Sequence, residues 1–145
     1  YSGTMGAVLE GCMLGIPSIG YSFHSHDQKR DISACRHVVE TITSRVIEHG
    51  LPHGTCLNVN VPKCEAVCGI KVVRAARGYW TEEYAEYIDP HGQPFYWLTG
   101  KFHNEEPGNP ETDLYWTDRG YASVVPCHPD QSATDMITTI EHLLD

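Results

Sequence analysis

A layered α/β fold is the class this sequence predicts, and three observations carry it. Apolar residues recur at helical spacing in two early segments, and the segment after each of them alternates with the period of a strand. Glycine and proline (Gly15 with Pro17, Gly50 with Pro52) end the helical segments. Through residue 76 the order is then helix, strand, helix, strand, strand, which belongs to an α/β layer structure.

Each element has its own reason. Met5, Val8, Leu9, Cys12 and Met13 fall on one helix face. Ile19, Tyr21 and Phe23 alternate with the small Ser18, Gly20 and Ser22, as in a strand whose second face is closely approached. Ser25, with Gln28 three residues on, forms a capping box for a long helix whose apolar stripe is Ile32, Cys35, Val39, Ile42 and Val46. Leu57, Val59 and Val61 alternate with Asn58 and Asn60 up to Pro62, and Gly69 to Ala76 reads as a further strand. From Trp80 to Phe102 aromatic and β-forming residues flank Asp89-Pro90-His91-Gly92, a turn signal, and predict an extended two-stranded arm. A polar loop follows from Asn104 to Glu111, then a short helix from Thr112 to Arg119 stopped by Gly120, then a short strand from Tyr121 to Pro126. Ser132, with Asp135 three residues later, starts a final helix with the stripe Ala133, Met136, Ile137, Ile140, Leu143 and Leu144.

At 145 residues, with 41% hydrophobic and 20% charged residues, the chain is the size of one domain and has the composition of a globular protein. No apolar run approaches the roughly 20 residues needed to cross a bilayer, so no membrane partner is expected. The net charge of −9 argues against a nucleic-acid polymer as partner. It leaves room for a small phosphorylated substrate, because backbone N–H groups and one metal ion make a local positive site. The six cysteines include no C-x-x-C pair and several fall on apolar faces, which predicts reduced, buried thiols and a cytoplasmic address.

The opening Tyr1-Ser2-Gly3-Thr4 raises the functional question. A helix N-terminus holds anions through unpaired N–H groups and a partial positive charge, and two hydroxyls flanking a glycine add donors. The same residues also suit a plain N-cap whose glycines permit tight helix–sheet packing. Such starts usually follow a strand and none precedes this one, so the chain reads as the back portion of a larger catalytic domain.

Four motifs in order resemble one family. Residues 1–22, YSGTMGAVLEGCMLGIPSIGYS, are similar to the Y-S-G-T segment of the SurE family, the stationary-phase survival nucleotidases. Asn58-Val59-Asn60-Val61-Pro62 resembles its L-N-[VI]-N-[VI]-P strand, and residues 89–98 (DPHGQPFYWL) its D-P-R-G-R-P-Y-Y-W-L hairpin. Thr112-Asp113 and Gly120 to Pro126 resemble its T-D and G-Y-[VA]-S-[VI]-[TV]-P segment. Cys127-His128-Pro129 departs from the usual Leu-x-x-Asp, and Trp116 replaces a small residue.

The resemblance implies a metal-dependent phosphomonoesterase acting on nucleoside 5′- and 3′-monophosphates, with exopolyphosphatase activity in some members. It implies a Rossmann-like three-layer α/β domain, here partial with its first strands missing, carrying a protruding β-hairpin and a C-terminal helix exchangeable between subunits. Residues 1–78 would be the back of the nucleotidase domain, 79–111 the hairpin and loop, and 112–145 a segment in subunit contacts of a homo-oligomer, dimer or tetramer. Ser2, Gly3 and Thr4 would bind phosphate. The family's divalent metal, Mg²⁺ or Mn²⁺, is held by two adjacent aspartates, a serine and an asparagine that all precede the Y-S-G-T segment. The chain alone is therefore expected to be inactive, and the competing class is a non-catalytic oligomerisation or scaffold module.

Other constellations have a structural reading beside a functional one. His24-Ser25-His26-Asp27 looks like a metallohydrolase motif, but Gln28 stands where another histidine is wanted, and a strand-to-helix connection suits it better. Asn58 and Asn60 either face a ligand or form the polar side of a strand. The rings of Trp80, Tyr84, Tyr87, Phe95, Tyr96 and Trp97 could stack bases. Beside Glu82, Glu83 and Glu86, however, a subunit-contact arm is expected.

Overall fold

In a computed structural model, the structure describes residues 2–23 and 32–145, the side chain of residue 34 excepted. The His24–Asp27 motif and the Ser25–Gln28 capping box lie outside the described residues. Two helices open the chain around a strand: α1 (Gly3–Met13), β1 (Ile19–Phe23) and α2 (Ser33–His49). Strands β2 (Cys56–Val61) and β3 (Ile70–Val72) follow, then β4 (Gly78–Thr81), β5 (Tyr84–Ile88), β6 (Pro94–Leu98) and β7 (Lys101–Asn104). The chain continues with α3 (Asp113–Thr117), β8 (Ala122–Cys127), a 3₁₀ turn (Thr134–Met136) and α4 (Ile137–Leu144).

A four-stranded sheet in the order β1-β2-β8-β3 is the middle layer. β1 and β2 run parallel, joined through α2, and β8 runs antiparallel to β2 and parallel to β3. Register puts Tyr21, Val59 and Val124 in one row, so their side chains share a face. α2 covers that face: Val38 and Ile42 pack with Val59, Val61, Ala122 and Val124. The Tyr21 hydroxyl lies 2.8 Å from Thr43 Oγ1 on α2 and so keeps a hydrogen bond. The expected stripe of α2 is shifted: Val38, not Val39, is its most buried residue, and Ile32 is exposed. α1 covers the opposite face through Val8 and Cys12, packed on Cys56. This is the three-layer α/β arrangement the sequence predicts.

Gly20 sets how closely α1 lies. A Cβ there would meet Val8 Cγ2 at 3.0 Å, Thr4 Cγ2 at 3.1 Å and Met5 Sδ at 3.3 Å. The strand expected from Gly69 to Ala76 is shorter, because at Arg74 the chain leaves β8 to bridge Thr112.

The arm is one long hairpin in two ladders, β5 with β6 at the tip and β4 with β7 at the base. Asp89 builds the predicted turn, its carboxylate accepting from the amides of His91 and Gln93 at 2.8 Å each. The ladders separate where Glu82 takes φ 52° and Gly100 φ 138°. The base is pinned by Glu106. Its carboxylate forks onto the Arg74 guanidinium, accepts from the Arg77 amide at 2.8 Å and from Asn109 Nδ2 at 3.2 Å. The Arg74 side chain is the main reason the Glu106 pKa falls from 4.5 to about 2. The helix expected from Ser132 begins later: Asp130 accepts the Ser132 amide at 2.8 Å, and a 3₁₀ turn precedes α4. Its stripe stays exposed, Leu143 at 76% and Leu144 at 81%.

Gly20→Val is expected to destabilise the fold by about 1–3 kcal/mol through overpacking under α1, measured by chemical denaturation. A second expectation follows from Glu106. Its folded-state pKa is depressed, so its stabilisation is complete above the unfolded value of 4.5 and is lost as pH falls toward about 2. The stability gap between wild type and Glu106→Gln should be largest near neutral pH and close in acid. A gap unchanged between pH 6 and pH 3 would contradict this.

Candidate functional site

The sheet face under α1 is apolar at one end and polar at the other. At the amino ends of the parallel strands Cys56 packs against Val8 and Cys12. Burial, with Cys12 and Cys127 close by, pushes the Cys56 thiol up to about 11, so this buried end is unreactive. Toward the carboxyl ends the same face carries Asn58, Asn60 and Ser22. Register aligns Ser22, Asn60 and Ser123 across three strands. Ser22, Asn58 and Asn60 are half-buried. Among the described residues, none of these three side chains makes a hydrogen bond within the chain. Half-buried polar groups without partners usually meet water or a ligand.

They line an open cleft of about 490 Å³ together with Ser2, Asp113 and Thr117. The cleft lies toward the carboxyl ends of parallel strands, where α/β sheets commonly bind ligands. Ser2 is the N-cap of α1, extended at φ −81° and ψ 113°, and its hydroxyl oxygen accepts from the Met5 amide at 3.1 Å. Helix geometry leaves the Gly3 and Thr4 amides without intrahelical partners, and this end carries the positive half of the helix dipole. Nothing lies within 4 Å of a Cβ built on Gly3. Thr4 turns its methyl toward Gly20.

The far wall is α3 and the base of the arm. Asp113 Oδ1 accepts from the amides of Ala76 and Leu114 at 2.8 Å each, tying α3 to the segment that leads into the arm. Thr117 Oγ1 donates to the Asp113 carbonyl at 2.7 Å and lies 3.3 Å from Ser123 Oγ. Trp80 and Phe102, an edge-on pair with centroids 5.5 Å apart, close the cleft on the arm side.

Of the residues the sequence singles out, Ser2 lines the cleft, while Gly3 and Thr4 stand in the first turn behind it. Asn58 and Asn60 form the polar side of their strand, and that side is the cleft floor. The cleft also contains Ser22, Asp113, Thr117, Trp80 and Phe102. Ser22 carried a signal in its parity with Gly20, whereas Asp113 and Thr117 reach the site only through the pairing of α3 with β8. Among the described residues no group of three or more His, Cys, Asp or Glu side chains could hold a metal ion. No helix among them is long and apolar enough to cross a membrane.

Comparison with known proteins identifies the family. Residues 1–82 match the family described as Survival protein SurE. The 5′-nucleotidase SurE of Phocaeicola vulgatus is 41% identical over 142 residues, 98% of this chain and 55% of that protein. That of Christiangramia forsetii is 43% identical over 139 residues, 94% of this chain and 53% of that protein. The crystal structure of SurE protein from Aquifex aeolicus superposes with a TM-score of 0.75 at 35% identity, covering 100% of this chain and 58% of that one. The chain thus spans about half the length of the curated relatives it matches. By profile, identity and fold together, this chain belongs to the SurE family.

Proposed function

We propose that this chain carries the substrate-facing part of a metal-dependent phosphomonoesterase that hydrolyses nucleoside 5′- and 3′-monophosphates. The observation that supports it is the polar floor of Ser22, Asn58 and Asn60 beside the first turn of α1. The names of the SurE relatives support the same reaction class.

In this reading the phosphate sits at the start of α1. The Gly3 and Thr4 amides donate to its oxygens, with the Ser2 and Thr4 hydroxyls beside them. Gly3 lets the oxygens approach the backbone closely. Fixed donors of this kind hold charge as it develops on the phosphoryl group without reorganising. Asn58 and Asn60 offer amide N–H groups from the floor.

The donor set of the described residues does not itself fit a divalent ion. It consists of hydroxyls and amides, and the Asp113 carboxylate is engaged by two backbone amides. The Mg²⁺ or Mn²⁺ of a SurE nucleotidase is therefore assigned to ligands outside the described residues, where it would activate water and offset charge. In this reading the chain by itself is inactive, and its free cysteines suit a reducing cytoplasm.

Residues 79–111 as an arm and 112–145 with α4 supply the contacts of a homo-oligomer, dimer or tetramer, beside a nucleotidase portion in 1–78. The exposed rings toward the tip of the arm, Tyr84, Tyr87, Phe95, Tyr96 and Trp97, and the exposed stripe of α4 support this. A non-catalytic scaffold module would use the same surfaces, but it would have no use for the cleft's donors.

Two measurements separate these readings. Phosphate release from AMP should be absent for the 145-residue chain and should appear, with a requirement for Mn²⁺ or Mg²⁺, in the full-length protein. A full-length protein inactive with either ion favours the scaffold. Gly3→Ala adds a methyl into open space, so folding stability should hold or rise by about 0.5–1 kcal/mol. AMP hydrolysis by the full-length variant should nevertheless fall about tenfold or more, since the methyl stands where the phosphate approaches. Equal loss of stability and activity would instead mean a packing role.

A further inference from the structure

Beside the cleft lies a second open pocket of about 380 Å³, lined by Ser2, Trp80, Glu83, Leu98 and Thr99. It shares Ser2 and Trp80 with the cleft, so one ligand can occupy both. We propose that this pocket seats the base of the nucleotide, with Trp80 as its stacking platform and Glu83 as the acceptor for a base N–H. The proposal rests on the nucleotidase reading and extends it to substrate selection.

The Trp80 ring is placed before any ligand arrives. Gly100 brings its backbone under the ring: a Cβ there would stand 2.8 Å from Trp80 Cε3. Phe102 meets the ring edge-on at 66°. Even so, Trp80 keeps 49% of its surface exposed, enough free ring to take a base. Leu98, also exposed at 56%, adds aliphatic surface. A stacked base gains from a rigid aromatic because little side-chain freedom is lost on binding.

The polar groups choose the end of the ligand and the edge of the base. The Thr99 hydroxyl is already donated to the Glu82 carbonyl at 2.6 Å. That leaves Glu83 as the charged side chain of the pocket. An ionised carboxylate only accepts hydrogen bonds, so it favours a base edge bearing N–H, such as the exocyclic amine of adenine or cytosine or N1–H of guanine. It also repels phosphate, which directs the phosphoryl end to the α1 side. With Glu82 and Glu86 nearby in sequence, the same charges disfavour a polynucleotide strand, whose next phosphates would meet them.

The test compares AMP with ribose 5-phosphate, which has the phosphate and sugar without a base, on the full-length protein. Trp80→Ala should lower the ratio of kcat/KM for AMP to that for ribose 5-phosphate about tenfold, chiefly through KM, and Trp80→Phe should restore most of it. Adenosine binding, followed by calorimetry, should weaken similarly in Trp80→Ala, a readout that needs no phosphate chemistry. An unchanged ratio, or adenosine bound equally by wild type and variant, overturns the base pocket while leaving the nucleotidase reading intact. Adenosine bound through Trp80 by a protein that hydrolyses neither phosphate ester keeps the pocket and overturns the nucleotidase.

Discussion

The contact of α1 with Gly20 is the constraint on which the rest depends. A helix packed on a sheet ordinarily stands about 10 Å away, held off by two layers of side chains. Here one layer is missing, and Val8, Thr4 and Met5 come down onto the strand backbone. That brings the first turn of α1 next to the floor residues Ser22, Asn58 and Asn60. The opposite face of the sheet carries the cost of this polar floor. Val38, Ile42, Val59, Val61 and Val124 form the larger core under α2, and each buried aliphatic side chain there contributes about 1.5–3 kcal/mol. The sheet differs by face, one forming the larger core and one flooring the cleft.

The second constraint is where the arm is rooted. A two-stranded ribbon is marginal in water alone, and most of this one is exposed. Its direction comes from its base, where Glu106 joins Arg74 to the loop and Asp113 joins the segment before β4 to α3. Both anchors are charge-assisted or accept several amides, and both sit next to β8. Trp80 and Phe102 can therefore form a wall of the cleft instead of swinging with the arm. Gly78 and Gly100, where a side chain would strike Phe102 or Trp80, let these two rings lie against their own ribbon.

Much of this was legible in the sequence, and the exceptions have physical causes. Alternation in Leu57 to Val61 and in Ile19 to Phe23 showed two strands with one polar or small face, because the period of a strand is set locally. Helical spacing could not choose between Val38 and Val39, since both lie within one apolar arc. The sheet decides it, where Val38 meets Val59 and Val61. The strand at Gly69 was read too long because its composition continues past Arg74, while its partner does not. At Ser132 a side chain three residues downstream suggested a cap, but Asp130 takes the Ser132 amide first, a local competition between turn and helix. The cleft itself is non-local. Ser2, Asn60, Asp113 and Trp80 stand far apart in the chain, and only sheet order and the arm's anchors bring them together.

In the proposed reading an acidic chain receives an anion, and that needs its charges arranged. The carboxylate that lines the cleft, Asp113, is already committed: it accepts two backbone amides, which spreads its charge into the fold. The other described polar groups facing the floor are neutral: hydroxyls, carboxamides and the exposed amides of a helix end. Among the described residues no lysine or arginine lines the cleft, so in the proposed reading what these residues offer a phosphate is oriented dipoles at short range. Dipoles fall off faster with distance than charges, so such a site discriminates by position. In the proposed reading a phosphoryl group must come within hydrogen-bonding reach of α1 to gain anything, and that close approach is what open space at Gly3 and the close packing of α1 on Gly20 together would permit.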